Sequence, residues 1–244
     1  MRSGFGVESR GVWCQDASPG TVARLAQSGF DWVCLDAQHG VYGRAELIEV
    51  ARAYPFASAE LVVRVPSCDF PAIGAALDVG ATTVIVPQIE SAAEAERAVA
   101  ATYYPPRGDR SWGPIGRTWG RTTAGPEGAN AEITCAVMIE SALALEQVEA
   151  IAAVPGVGQL FVGPHDLSLS LGTTVEALLT DDSAGSALAR IAAAAEANGL
   201  SVGAFGGIPE VAEGFRDRGI SCLAVATDLW LLARGVEAAL NPTT

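Results

Sequence analysis

The feature that most constrains this chain is a repeated pattern. A short apolar run rich in Val, Ile or Cys leads into a polar or Gly/Pro-containing loop, and an Ala-rich amphipathic segment follows. The runs are GVWCQ (11–15), DWVCLD (31–36), ELVVRV (60–65), TTVIVP (82–87), TCAVMIE (134–140), QLFVG (159–163), SVGAFG (201–206) and SCLAVAT (221–227). Helical candidates lie between them, among them PGTVARLAQSG (19–29), FPAIGAALDVG (70–80), ALALEQVEAIAAV (142–154) and, after the last run, LWLLARGVEAAL (229–240). Short continuous apolar strands alternating with helices point to a parallel sheet covered on both faces. About eight such units in roughly 250 residues is the size of a (β/α)8 TIM barrel. A doubly wound open sheet is the other arrangement to weigh. The first βα junction, however, carries no GxGxxG, and no helix–strand unit is missing from the count. No linker divides the chain, so one domain over residues 1–244 is expected.

Composition narrows the class. The 244 residues are 50% hydrophobic and 18% charged, as in a globular chain. The net charge of -13 makes nucleic acid an improbable partner, because phosphate binding needs a basic surface. The opening MRSGFGVESRGVWCQ has no uninterrupted apolar core, so no signal peptide is expected, and no apolar run is long enough for a membrane span. The 5 cysteines are scattered with no CxxC pair, which suits a reduced cytoplasmic protein and neither a zinc site nor a disulfide framework.

In a barrel, active sites are built at the carboxyl ends of the strands. The polar residues gather there: Asp36, Gln38 and His39 after the second run, Arg64 inside VVRVP, Gln88 after the fourth, Glu140 closing the fifth, His165 and Asp166 after the sixth, and Asp228 after the eighth. Arg64, with apolar neighbours on both sides, needs a partner. That partner is a substrate carboxylate or an internal one, such as Asp36, Asp78 or Glu140. Glu140 and Asp166 end adjacent strands. They would repel unless they share a proton or a cation, and hard oxygen ligands suit Mg²⁺ or Mn²⁺. The other reading is that each caps the helix behind it. His39, in the polar turn DAQHG, is suited to general-base work. One connection, residues 104–130, is longer than the rest and carries Arg107, Arg110, Arg117 and Arg121 against Asp109 and Glu127. It reads either as a lid over an anionic substrate or as a solvated or subunit-contacting loop.

FDWVCLDAQHG, LVVRVP, LDVGATTVIVPQIESAAEAERAV, YPPRGDRSWGP, VMIES and LFVGPHDLSLSLG, in this order, resemble the class II pyruvate-type aldolases of the aldolase/citrate lyase family. That group includes the 4-hydroxy-2-oxoheptanedioate and 2-dehydro-3-deoxyglucarate aldolases and macrophomate synthase. The resemblance runs from about residue 11 to 235. It implies a (β/α)8 barrel in a homo-oligomer, a trimer or hexamer, with a C-terminal helix exchanged between subunits. It also implies reversible cleavage of 4-hydroxy-2-oxo acids to pyruvate and an aldehyde, with a divalent metal (Mg²⁺, Mn²⁺ or Co²⁺) as cofactor. By the same resemblance the metal carboxylates fall on Glu140 and Asp166, the arginine facing the keto oxygen on Arg64, and the base on His39. Asp36 belongs to the same constellation, and Asp78 helps orient the base. The turn of Gly163, Pro164, His165 and Asp166 takes the substrate carboxylate. Two positions depart from the family pattern: His165, where a small residue is common, and Gln38, where Glu is common. The chain contains no lysine, so a Schiff-base aldolase is excluded. Two other functions are open: a CoA-thioester lyase, with the arginine loop receiving the CoA tail, and a catalytically silent binding barrel.

Overall fold

The computed structural model describes residues 8–122 and 124–241. In chain order its elements are β1 (Ser9–Cys14), α1 (Pro19–Ala26), β2 (Trp32–Asp36), α2 (Arg44–Ala53), β3 (Glu60–Arg64), α3 (Phe70–Asp78), β4 (Thr83–Val86) and α4 (Ala92–Thr102). A 3-10 turn (Ile115–Trp119), α5 (Pro126–Glu132), β5 (Thr134–Ile139), α6 (Ala142–Glu146), α7 (Val148–Ala152), β6 (Val157–Val162), α8 (Pro164–Ser170) and α9 (Val175–Thr180) follow. The chain continues through α10 (Ala187–Ala197), β7 (Ser201–Phe205), α11 (Pro209–Asp217), β8 (Cys222–Thr227) and α12 (Asp228–Leu240). Among the described residues the eight strands pair in parallel in sequence order, and β1 pairs with β8 to close the barrel. The (β/α)8 architecture is thus the observed one.

Local chemistry starts the helices. Ser18, Asp69, Ser91, Ser141, Thr174, Ser186 and Thr227 each accept an N–H from the first turn of the helix that follows. Such caps satisfy donors that the helix itself leaves open. One core lies between barrel and helices. A second fills the barrel with Trp13, Trp32, Cys34, Val62, Ile85, Met138, Phe161 and others. Gly11 makes room for this interior, since a Cβ there would stand 2.1 Å from the Trp32 ring. The Trp32 indole N–H donates to Ser9 Oγ at 3.2 Å. The barrel interior is therefore a packed plug that reaches up to the strand ends, where the Trp13 indole N–H meets Asp36.

The structure departs from the sequence reading in three places. Segment 142–154 is two short helices broken at Gln147, whose φ/ψ of -102°/7° interrupts the first and starts the second. The inward residues Ala144, Val148, Ile151 and Ala152 keep helical spacing across the break, so periodicity alone reads one helix. The stretch after FVG holds two short helices, α8 and α9, where the sequence reading named no helical candidate. Finally, the 104–130 segment connects α4 to β5, so it lies at the amino-terminal end of the barrel. Asn130 ties it down, accepting from Tyr104 N at 2.8 Å and donating to Tyr104 O at 2.9 Å. A lid over this chain's own strand ends is therefore ruled out.

Candidate active site

The site grows from a single register. Asp36 and Arg64 are the last residues of β2 and β3 and lie directly opposite one another. Arg64 Nε donates to Asp36 Oδ1 at 2.9 Å and Nη2 to Oδ2 at 2.6 Å, a bidentate fork with Asp36 fully buried. The amides of Gln38 and His39 add donors to Oδ1, each at 3.1 Å, and the Trp13 indole N–H reaches Oδ2 at 3.1 Å. Burial by itself would raise the Asp36 pKa. The Arg64 fork outweighs it, with help from Trp13 and the His39 amide, so the group is held below its ordinary value. Asp36 is thus an ionised counter-ion saturated with donors. It is suited to orienting Arg64 and not to accepting a proton. The fork leaves Nη1 of Arg64 outside the pair.

Across the barrel mouth, Glu140 follows β5 and is buried. Its Oε1 accepts the Gln88 N–H at 2.7 Å, while its Oε2 is buried without a partner. Gln88 supplies that amide from a left-handed backbone at φ 57°, the one positive-φ non-glycine conformation among the described residues. Glycine at 163 is required beside it: a Cβ there would stand 2.7 Å from Glu140 Oε2. Burial is the main cause raising the Glu140 pKa. The Gln88 N–H opposes it, the Asp166 charge adds to it, and Arg64 and His39 pull it back. Asp166 is an exposed residue in the first turn of α8, behind Gly163 at the N-cap. No side chain caps that helix, so the capping role for Asp166 is not the one observed.

His39 is exposed on the turn after β2. Gln38 has its side-chain Oε1 buried without a partner. Pro164 is the buried first residue of α8. His165 is exposed, and its ring meets the Phe205 ring edge-on at 6.0 Å. Asp228 secures the fold instead: it accepts the Gln15 N–H at 3.1 Å and the Asp16 N–H at 2.9 Å, pinning the β1–α1 turn.

Asp78 is not brought to the other residues within this chain. It ends α3 at the opposite end of the barrel and accepts from Arg110 Nη2 at 3.0 Å. It lines a cavity of about 630 Å³ with Asp31, Glu60, Thr82 and Arg110. Thr82 and Asp31 lie just before strands and Glu60 begins one, so this space is remote from Glu140 and Arg64. The sequence reading placed Gln88 at a strand end without giving it a role, and it did not single out Trp13 or Phe205. Trp13 carried one readable signal: it follows Gly11 at the strand period of two, on the inward face.

The family model described as HpcH/HpaI aldolase/citrate lyase matches residues 9–234. The chain belongs to that family. It is 39% identical over 239 residues to a hydroxypyruvate/pyruvate aldolase of Paraburkholderia phytofirmans, covering 95% of this chain and 91% of the relative. It is 35% identical to a 2-dehydro-3,6-dideoxy-6-sulfogluconate aldolase of Pseudomonas putida, covering 91% and 87%. A crystal structure of a family protein from Burkholderia cenocepacia J2315 superposes with a TM-score of 0.83 at 33% identity, over 96% of this chain and 93% of that one. Every strand-end residue described above falls inside the matched span.

Among the described residues no three His, Cys, Asp or Glu side chains gather to hold a metal by themselves. Glu140 and Asp166 together nevertheless fit a divalent cation. One buried carboxylate oxygen lacks any partner, glycine keeps the space beside it clear, and a second carboxylate lies close enough to raise its pKa. Two carboxylates leave the remaining positions to water and substrate oxygens, as hard divalent cations accept.

Proposed function

We propose that this chain reversibly cleaves 4-hydroxy-2-oxo acids to pyruvate, or a related 2-oxo acid, and an aldehyde through an enolate. The reaction class is that of the family: the chain is a carbon–carbon lyase, an aldehyde-lyase. The observation that carries the reading is the Arg64–Asp36 fork facing a buried carboxylate with one oxygen unpaired.

A divalent ion held by Glu140 and Asp166, whether Mg²⁺, Mn²⁺ or Co²⁺, would polarise the 2-oxo group as a Lewis acid. The chain's own groups do the rest. The His165 and Asp166 amides, in the first turn of α8 where a helix offers them no acceptor, would take the substrate carboxylate. His39 takes the proton of the C4 hydroxyl. The C3–C4 bond breaks, the aldehyde leaves, and the electron pair moves onto the C2 oxygen. Arg64 stabilises the charge that develops there, in a site where preorganised donors are usually the largest catalytic effect. The protonated His39 then returns that proton at C3, which completes pyruvate and restores the base. Gln38, beside His39, carries no charge, which leaves the acceptor end less acidic than a Glu would.

One structural feature supports a homo-oligomer, the trimer or hexamer that the family resemblance implies. On α12, Leu229, Leu232, Val236 and Leu240 are exposed at helical spacing, and Asp228 is the helix's buried residue. That stripe suits a helix packed on a neighbouring subunit. Asp78 could help orient His39 only from a second copy, because the barrel separates them within one chain. No helix among the described residues is long and apolar enough to cross a membrane. A reduced cytoplasmic setting fits the unpaired cysteines. The CoA-lyase alternative loses its support, since the arginine segment lies at the far end of the barrel. The silent-barrel alternative sits poorly with a site whose buried carboxylate is left unpaired.

The test is a coupled pyruvate-release assay over a panel of 4-hydroxy-2-oxo acids. Turnover of at least one substrate, abolished by EDTA and restored by Mg²⁺ or Mn²⁺, is expected. No pyruvate from any panel member in the presence of metal would contradict the reading.

A further inference from the structure

On the aldolase reading, the free edge of Arg64 meets the substrate oxygen, so its direction must be fixed. The Asp36 fork makes guanidinium and carboxylate coplanar, but the carboxylate itself must be held against rotation. Its Oδ1 accepts from Arg64 Nε and from two turn amides. Its Oδ2 has, apart from Arg64 Nη2, one further donor: the Trp13 indole N–H at 3.1 Å. The same indole ring stacks against the guanidinium, with Arg64 Cζ 5.0 Å from the ring centroid. One side chain therefore touches both members of the ion pair, one through its edge and the other through its face.

Trp13 is itself held firmly. It is 1% exposed and lies inside the barrel on β1. Phe161 packs on it at 5.9 Å with the rings tilted by 30°, and Phe205 at 5.1 Å nearly edge-on at 74°. We propose that Trp13 is a positioning residue for the reaction: its N–H locks the Asp36 carboxylate and its ring backs the guanidinium, so the outer edge of Arg64 meets the enolate oxygen at one fixed angle. The ring also keeps water from that face of the guanidinium, which strengthens its pull on a developing oxyanion. A cation–π contact is strongest when desolvated in this way.

Trp13→Phe keeps an aromatic body and removes the N–H. A second variant carries 3-benzothienylalanine at position 13, which preserves the indole shape and replaces only the N–H by sulfur. Two quantities are measured with Mn²⁺ present: exchange of pyruvate methyl protons with D₂O, and affinity for oxalate, a planar analogue of the pyruvate enolate. For both folded variants, kcat for exchange and oxalate affinity should fall by about tenfold or more, a smaller loss than removing a direct oxyanion donor. The KM for pyruvate should move much less. Wild-type exchange and oxalate affinity in the benzothienyl protein would overturn the proposal. So would a lowered melting temperature in either variant with unchanged kcat, which is what a purely space-filling Trp13 gives. A wild-type protein that exchanges no pyruvate protons would instead remove the aldolase reading, and this inference with it.

Discussion

At the residue scale, the two readings of Arg64 that the sequence leaves open do not exclude each other. Its internal partner is Asp36, and the same pairing that anchors the guanidinium leaves Nη1 outside it, available to a substrate oxygen. Arg64→Ala should therefore lower kcat for pyruvate proton exchange by about 10²–10³. It should also destabilise the fold by about 3–5 kcal/mol, because it leaves the Asp36 carboxylate buried without its cation. Paired urea melts and exchange rates separate the two effects: activity lost in proportion to the unfolded fraction alone would remove Arg64 from the chemistry. Asp36 gives a signed pH test. Its folded pKa lies below the ordinary 3.8, so the stability it contributes is present above that value and is lost only as pH falls through the lower folded pKa. Asp36→Asn should accordingly cost stability at neutral pH, and the gap from wild type should close only below about pH 3.8. A gap that closes near pH 6 would mean that Asp36 is not held ionised by Arg64.

At the element scale, the eight strands were legible because a strand buried on both faces reads as a continuous apolar run. Candidate site residues were legible where a polar side chain interrupts or ends such a run, as Arg64 and Glu140 do. Gln88 and Gly163 act through backbone shape. A left-handed φ at Gln88 and the clearance Gly163 gives the Glu140 carboxylate arise from how β4, β5 and β6 meet, and no local pattern announces them. Trp13 belongs with them, because its partner is set by barrel closure. The lid reading of 104–130 failed for a directional reason: composition marks a loop as unusual but does not say which end of the barrel it faces. Helices α8 and α9 were missed because each is short, and the Leu–Ser alternation of α8 has the period of a strand and not of a helix. Gly163→Ala tests the Glu140 pocket, since a Cβ 2.7 Å from Oε2 must displace that carboxylate. Calorimetric Mn²⁺ titration should show affinity reduced by at least about tenfold, the loss of roughly one good ligand interaction. Unchanged Mn²⁺ affinity in a folded Gly163→Ala protein would move the cation elsewhere.

At the scale of the whole molecule, the closed barrel puts a packed apolar plug beneath an acidic mouth, and α12 leaves an apolar stripe on the outside. A charge placed in that stripe, Leu232→Glu, should shift the mass measured by light scattering towards the monomer, because a buried carboxylate there would lack a partner. An unchanged oligomer would show that α12 does not pack between subunits. If Asp78 orients His39 from a second copy, the monomeric variant should also lose activity while keeping its Mn²⁺ site. The central claim is that this mouth turns a 2-oxo acid into its enolate without lysine. It is tested most directly by NMR of pyruvate in D₂O with the wild-type protein. Deuterium should enter the methyl group when Mg²⁺ or Mn²⁺ is supplied, and incorporation should stop when EDTA removes the metal. A protein that incorporates no deuterium with metal present, or that incorporates it at full rate with the metal removed, would contradict the account.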